Sequence, residues 1–483
     1  MFKLILYKEL REITGTTKFA VTFGICSILI ILAFFTGIKN YQTGMQEYNA
    51  SKAAQLRQFE SYTDWNSVRS NRIFLPPKPL ASLVMGVSND LGRMASINGQ
   101  STPVAMDSTY SEQPVYAVFR FMDLEFVFQI ILSLFAILFA FDAINGEKER
   151  GTLSLSFANS VPRASYILGK LIGSFLALAL PLLIPVLIGM LLLPLMGLTL
   201  SGDEWFRLGM FILSALLYLG VFLTLSVFVS SLTQRSSSAF LFLLVVWVFS
   251  VLIVPRASVL IAGNMVDVPT IEEINFQRTQ LMRQNSDDMI KGIDKFFKES
   301  MKKQKESGDS GPEAMEKRQK EINDFLNEVN TENNKKVENL TSRLNEERHN
   351  RQVQQEKLAF GISRISPAAV FNLASTTLCG TSLELKDHFQ KQASSYSESF
   401  AEFIRGKTGR NLGGMIIIFK GPGEEEPQKP KPINPREIPE FAYKPPEVSV
   451  ILHDALPDIA ILLLYNLIFF IGAFLSFLRY DLR

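Results

Sequence analysis

Residues 19–38 read FAVTFGICSILIILAFFTGI, twenty consecutive positions without a charged side chain. A helix in a soluble core rarely sustains such a run, whereas a bilayer core of roughly 30 Å requires that length. Two further apolar regions, 122–254 and 456–478, repeat the pattern, while 39–118 and 255–450 hold most of the charge. The overall composition, 47% hydrophobic and 20% charged, therefore averages membrane-spanning segments with water-facing ones.

Six membrane spans are predicted from the apolar runs. They are 19–38, about 124–144, 167–196, about 208–229, about 239–254 and 459–478. The third is longer than a straight crossing needs, and Pro181, Pro185 and Pro194 predict a kink or a separate last turn there.

Cysteine, histidine and charge usage exclude several classes of protein. The two cysteines, Cys26 and Cys379, lie about 350 residues apart, so no disulfide framework is expected. The three histidines are scattered without the spacing of a metal site. A net charge of +2 gives no basis for a nucleic-acid role.

Lysine and arginine near the span ends predict the orientation, because cytoplasmic connections carry an excess of them. These residues are Lys3, Lys8, Arg11, Lys18, Lys148, Arg150, Arg163, Lys170, Arg235, Arg479 and Arg483. The connection between the third and fourth spans instead carries Asp203 and Glu204 with Arg207. All basic connections fall on one side if both termini are cytoplasmic. Segments 39–121 and 255–455 are then extracytoplasmic, which means periplasmic in a bacterium with two membranes.

The larger outer segment contains two stretches with apolar residues at helical spacing, 271–306 and 313–360. A breaker, SGDSGP at 307–312, separates them and predicts an antiparallel helical hairpin. The hairpin either fills space as a solvated charged surface or docks a periplasmic protein. Residues 421–446 contain eight prolines, which predict an extended strap returning to the sixth span.

One segment has the spacing of a relaxed phosphate-binding loop: Ala401, then Gly406, Lys407 and Thr408. Such a loop needs a buried strand before it and a helix whose N-terminus faces the phosphates. Here a polar, helix-like stretch precedes the glycine, and the predicted location is outside the cytoplasm. We therefore expect no nucleotide site in this chain.

The connection after the second span reads DAINGEKERGTL at 142–153. It is a charged turn between Gly146 and Gly151, followed by an amphipathic turn of helix. By itself it is compatible with an ordinary positive-inside connection. It also resembles the coupling-helix region of the type-2 ABC exporter permease family, in which E-(K/R)-E-x-G-T-L follows the second span. The matching residues are Glu147, Glu149, Gly151, Thr152, Leu153, Arg163, Gly169 and Lys170.

The N-terminus carries a second part of this resemblance. Residues 1–14, MFKLILYKELREIT, predict a basic amphipathic helix lying in the membrane interface. It is similar to the elbow helix of that family, whose K-E-x-R-E segment is matched by Lys8, Glu9, Arg11 and Glu12. The resemblance covers the spans and their short connections, roughly half the chain, and the hairpin and proline strap depart from it.

The resemblance implies an all-α polytopic membrane protein with an elbow helix, six transmembrane helices and a large, mostly helical extracytoplasmic domain that contains the hairpin. The expected organisation is an elbow helix at 1–18, a transmembrane helix at 19–38, an extracytoplasmic loop at 39–121, four transmembrane helices at 122–254 with a coupling helix at 145–165, a hairpin domain with the strap at 255–455, and a transmembrane helix with a cytoplasmic tail at 456–483.

The resemblance further implies a non-catalytic permease in the bacterial inner membrane, paired with a second permease copy or a sister permease. A separate ABC ATPase chain would bind ATP and Mg. The residues expected to face that ATPase are Glu147, Lys148, Glu149, Arg150, Gly151 and Thr152. Because the spans offer little polar lining beyond Glu125, Gln129 and Asp142, an apolar, amphipathic or lipid-linked cargo is expected. The alternatives are ATP-driven mechanical action on a periplasmic partner and a membrane scaffold.

Overall fold

The computed structural model describes residues 2–88, 92–98, 105–106, 123–153, 157, 162–307, 312–408 and 433–479. Most of these residues are helical. The main helices are α1 Phe2–Thr14, α2 Thr17–Glu60, α3 Leu124–Glu149, α4 Arg163–Leu195, α5 Gly202–Leu232, α6 Ser236–Met265, α7 Ile271–Ser307, α8 Pro312–Ser363, α9 Pro367–Cys379, α10 Glu384–Thr408 and α11 Val448–Leu478.

Six of these helices, α2 to α6 and α11, are long and apolar enough to cross a membrane. All of them except α3 expose large aliphatic and aromatic side chains along part of their length, as lipid-facing surfaces do. The chain is therefore an all-α polytopic membrane protein, which confirms the predicted fold class.

Helix α2 is much longer than its predicted span. It continues without a break to Glu60, 44 residues in all, or about 66 Å. The sequence pattern predicts a loop from residue 39, but residues 39–60 contain no proline and are rich in alanine, glutamine, glutamate and lysine, which favour helix. Good helix formers continued the helix beyond the apolar run.

A small antiparallel sheet follows α2 and was not predicted. It consists of β1 Asn71–Phe74, β2 Met94–Ile97 and β3 Ala105–Met106, in the order β1-β2-β3. Asn71 pairs with Ile97 across the first ladder. These strands are too short for a period-two pattern to stand out in the sequence.

Helices α3 and α6 each contain a π-helical turn, at Val127–Leu132 and Phe249–Ile253. The second turn has a cause in the sequence. Pro255 lacks an N–H and its ring crowds the preceding turn, which widens the helix there. Helix α4, by contrast, runs through all three of its prolines to Leu195.

Helix α9 is almost completely buried and packs against α5 and α11. The Ser366 hydroxyl caps its N-terminus by accepting from Ala368 N, at 3.1 Å. At its other end, Lys78 Nζ donates to the Gly380 carbonyl at 2.8 Å, and Arg207 Nε donates to the Leu378 carbonyl at 2.6 Å. Two cations thus bind the negative end of this helix.

The chain divides into two compact units, one made of 1–255 and 364–483 and the other of 256–363. The predicted outer segment 255–455 is therefore split between them. In the second unit, α7 and α8 pack on each other, with the Phe296 and Phe325 rings stacked at 4.7 Å. The C-terminal half of α8 lies beside the segment that precedes α7, since Arg348 Nε donates to the Pro269 carbonyl. These two helices form the antiparallel arrangement that the sequence pattern predicts.

Candidate functional site

Helix α1 lies directly against the first half of α4, and two glycines allow the close approach. A Cβ placed on Gly169 would lie 2.7 Å from Ile5 Cγ2, and one on Gly173 would lie 2.8 Å from Glu9 Cβ. Four residues apart, these glycines form a smooth ridge on one face of α4, as small residues do in close helix pairs in membranes. The ridge places the side chains of α1 next to Lys170.

The Glu147 carboxylate, at the end of α3, lies inside the protein, with 4% of its side chain exposed. Its Oε1 is 3.0 Å from Lys170 Nζ and 3.0 Å from Lys8 Nζ. Its Oε2 accepts a hydrogen bond from the Tyr166 hydroxyl at 2.6 Å. One carboxylate therefore joins α1, α3 and α4.

Glu9 of α1 supplies the second buried carboxylate. Its Oε2 is 2.7 Å from Lys170 Nζ, and its Oε1 accepts from the Ser174 hydroxyl at 3.2 Å. Burial raises the pKa of Glu9, and the adjacent Lys170 ammonium opposes part of that rise. Here we call the whole group the buried ion cluster; its members are Lys8, Glu9, Glu147, Tyr166, Lys170 and Ser174.

The other face of the last turn of α3 is bonded to the end of α5 and the start of α6. The Ser230 hydroxyl accepts from Asn145 N at 3.1 Å, and Lys148 Nζ donates to the Ser231 carbonyl at 2.8 Å. The Glu149 carboxylate accepts from Ser236 N at 2.8 Å, at the N-terminus of α6. A carboxylate is favoured there because the first amides of the helix have no intrahelical acceptor.

Only part of the expected ATPase-facing set is available at the surface. Glu149, Arg150, Gly151 and Thr152 are exposed, whereas Lys148 is half-buried. Gly151 adopts a positive φ of 70° with open space around it, so the chain turns sharply there. The expectation that Glu147 belongs to the projecting surface is wrong. Its carboxylate turns inward because two buried or half-buried lysines and a tyrosine hydroxyl bind it.

The elbow-helix residues are divided in the same way. Lys8 is half-exposed and reaches Glu147, Glu9 is buried against Lys170, and Arg11 is exposed to solvent. The helix predicted at the N-terminus is present from Phe2 to Thr14. Residues 154–156 and 158–161, the rest of the predicted coupling helix before α4, lie outside the described residues.

Comparison with known proteins identifies the family of the chain. The family model described as ABC-2 family transporter protein matches residues 4–482, almost the whole chain. The chain belongs to the ABC-2 transporter family. It is also 37% identical over 125 residues to the "Probable ABC transporter permease protein NosY" of Stutzerimonas stutzeri. That alignment covers 26% of this chain and 45% of the relative, so the similarity spans less than half of the relative's length.

The family predicted from the resemblance is thus confirmed. As a member of this family with six helices long and apolar enough to cross a membrane, the chain is an ABC-2 type membrane protein. The motif residues that carried the resemblance, Glu9, Glu147 and Lys170, are the residues that meet in the buried ion cluster.

The phosphate-loop spacing at 401–408 has another structural setting in this ABC-2 permease. The segment forms the last turns of α10, so its amides are engaged in a helix. Lys407 Nζ lies 2.5 Å from Glu437 Oε2, and the Thr408 hydroxyl donates to the Ile404 carbonyl. The backbone loop that would cradle phosphates is therefore replaced by helix.

Three contributors to the site were not found from the sequence: Tyr166, Ser174, and residues 230–236 at the end of α5 and the start of α6. Tyr166 and Ser174 lie one turn on either side of Lys170, on the same face of α4. The sequence contained one signal for these two residues, because they lie four positions before and after a lysine in an otherwise apolar run. The serines at 230 and 231 carried no comparable pattern.

Proposed function

We propose that this chain is the non-catalytic transmembrane subunit of an ATP-driven ABC exporter that moves an apolar, amphipathic or lipid-linked cargo outward. A separate ABC ATPase would bind ATP and Mg and hydrolyse the nucleotide. The observation that carries the proposal is the double attachment of the last turn of α3. Glu147 ties it to α1 and α4, and Glu149 ties it to the start of α6.

These bonds would allow the last turn of α3 to transmit force from the ATPase to the neighbouring helices. A push on the exposed residues Arg150–Thr152 acts on a segment bonded to helices on both sides. Breaking a buried ion pair is costly, so the segment would drag its neighbours rather than detach from them. ATP-driven closure of the ATPase dimer would then shift the equilibrium between two arrangements of the spans.

The contacts of the buried polar side chains support the proposed cargo class. Glu125 accepts a hydrogen bond from Asn372 Nδ2, and Gln129 Nε2 donates to the Ala368 carbonyl at 3.1 Å. Both partners belong to α9, so these two groups stabilise the bundle. This supports a cargo that does not require a continuous polar lining.

We further propose that the chain lies in a bacterial inner membrane with both termini cytoplasmic, because the basic connections then share one side. The proposed assembly contains two permease copies, or this chain with a sister permease, and two ATPase subunits. Membrane lipid surrounds the spans, and the hairpin of α7 and α8 faces the periplasm, where it could dock a protein.

The test is a charge reversal at Arg150, whose side chain is 61% exposed. If Arg150 contacts an acidic groove of the ATPase, Arg150→Glu should weaken binding of the ATPase subunit by about thirtyfold or more, as interface charge changes of about 2 kcal/mol or more do. Binding is measured by pull-down and by titration of the purified permease with its ATPase. Expression should stay unchanged and thermal unfolding should shift only slightly, because Arg150 loses an exposed 3.7 Å pair with Glu12 that is worth about 1 kcal/mol or less.

The matched control is Lys3→Glu, which reverses an exposed basic side chain elsewhere in the protein, on α1. It changes the net charge by the same amount and should leave ATPase binding within twofold. Equal binding by the parent and by Arg150→Glu would mean that this loop is only a basic connection between spans, and the proposed coupling role would be lost.

A second candidate function is mechanical work on a periplasmic partner without transport. The observation that favours it is the separate compact unit 256–363, whose helices α7 and α8 have 37 and 52 residues. Complex reconstituted without any cargo should then hydrolyse ATP faster when the purified partner is added. An exporter should instead respond to amphipathic molecules in the bilayer.

A further inference from the structure

The chain returns from the hairpin unit through a linker of only three residues, Arg364 to Ser366, between α8 and α9. Pro367 fixes this break. A residue before proline is kept out of the helical region, so Ser366 adopts an extended conformation with ψ of 123°. Its hydroxyl then caps α9. The linker is short, and every one of its residues is held by a hydrogen bond.

The first attachment is to the π-helical turn of α6. In that turn the expected donor to the Ser250 carbonyl is the amide five residues later, which belongs to Pro255 and carries no hydrogen. The Ser366 hydroxyl donates to this carbonyl instead. Proline thus provides both the widened turn and the acceptor that receives the linker.

The second attachment is to one face of α11. Arg364 forms a two-pronged ion pair with Asp458, with Nε 2.6 Å from Oδ1 and Nη2 3.2 Å from Oδ2. Asp458 is 3% exposed and lies at the start of the apolar part of α11. Two turns later, the Tyr465 hydroxyl is 2.9 Å from the Arg364 carbonyl and 2.8 Å from the Ile365 carbonyl.

We propose that Ser250, Arg364, Ser366, Asp458 and Tyr465 form a hairpin latch that transmits movement of α6 and α11 to the hairpin of α7 and α8. The proposal rests on the proposed ATP-driven function, whether that work is transport or mechanical action. The chain enters the hairpin unit as the continuation of α6 and leaves it through the latch. The π-helical turn of α6 therefore lies on the path by which the chain enters the hairpin unit, and it also binds the linker by which the chain leaves that unit.

The geometry favours transmission over simple anchoring. A single anchor to one helix would hold the linker in place, but the latch joins two different spans to the same three residues. Asn466 Nδ2 also donates to the Leu217 carbonyl at 2.9 Å, which fastens α11 to α5. A change in the separation of α6 and α11 must then alter either the latch or the path of the linker.

The experiment uses the full permease with its ATPase, reconstituted in lipid nanodiscs. A single fluorescent label is placed on Lys302→Cys, an exposed position of α7; the native Cys26 and Cys379 are buried and should not react. The signal is the fluorescence change when ATP is added. Tyr465→Phe removes one hydroxyl, and we expect it to lower that change at least threefold. ATPase binding and the ATP hydrolysis rate should stay within twofold of the parent.

Two further variants separate transmission from folding. Tyr218→Phe is the matched control, because its hydroxyl also donates to a backbone carbonyl of a span, Gln129 O at 2.8 Å, yet lies outside the latch. It should retain the parent signal. Asp458→Arg should lose the signal, and the exchanged pair Arg364→Asp with Asp458→Arg should restore at least half of it.

An unchanged signal in Tyr465→Phe, an equal loss in Tyr218→Phe, or no restoration in the exchanged pair would overturn the latch. A parent that hydrolyses ATP without any signal from the label would overturn it as well, while leaving the ATPase coupling intact. Failure of the ATPase to bind the parent chain would instead contradict the proposed function itself.

Discussion

The buried ion cluster leads to a quantitative prediction at Lys170. Its ammonium lies 2.7 Å from Glu9 and 3.0 Å from Glu147, with 4% of the side chain exposed. Lys170→Met keeps the length of the side chain but removes the ammonium that pairs with Glu9, and it leaves Glu147 paired only with the half-exposed Lys8. Removing one partner of a buried ion pair typically costs about 3–5 kcal/mol. We expect a loss of that size in the free energy of unfolding.

The assay is unfolding of the purified permease in detergent, followed by the fluorescence of its three tryptophans. The informative variant is the neutral triple, Glu9→Gln, Glu147→Gln and Lys170→Met, which removes the charges together. It should be more stable than Lys170→Met alone, because no buried charge is left without a partner. A triple variant less stable than the single one would refute this account of the cluster.

An exposed ion pair provides the matched control. Lys407 and Glu437 are 40% and 41% exposed, and their ammonium and carboxylate lie 2.5 Å apart. Lys407→Met should cost about 1 kcal/mol or less, since exposed pairs contribute little. Both lysines form short ion pairs, so a larger loss of stability in Lys170→Met than in Lys407→Met would reflect the burial of the pair and not its length.

Two other predictions concern pH and topology. Burial, together with Arg207, lowers the pKa of Lys78 to about 8, so the folded chain binds this proton less tightly than the unfolded chain, whose pKa is 10.5. Stability should therefore rise between pH 8 and 10.5, by on the order of 3 kcal/mol, and Lys78→Met should flatten the pH profile of thermal unfolding. For topology, single cysteines at Lys302 and Gln234 should react oppositely with an impermeant maleimide applied to intact spheroplasts; equal labelling would contradict the proposed orientation.

The spans were predictable because their signal is local: about twenty apolar residues in a row identify a crossing wherever they lie. The same local signal could not end α2, because helix-forming residues continue after Ile38. Helix α9 shows a second limit. Its 13 residues are too few to span a membrane, so its burial among α5 and α11 depends on contacts that the sequence does not display.

The candidate site was found as separate motifs, and their meeting was not predicted. The spacing places Glu147, Lys148, Glu149 and Arg150 within little more than one turn, so the side chains point in all directions around it. Which of them turns inward is decided by the groups on α4 and α1. The prediction that Glu147 projects outward failed because Lys170 lies two dozen residues further along the chain and reaches the same turn.

The charges of the cluster explain why these three motifs occur together. The formal charges of the cluster sum to zero over Lys8, Glu9, Glu147 and Lys170. Burying any of the last three without its partners would carry a large desolvation cost. The elbow helix, the end of α3 and the glycine face of α4 therefore depend on one another. A sequence with one of these motifs and without the others would leave a buried charge unpaired, so we expect a functional coupling segment to require all three.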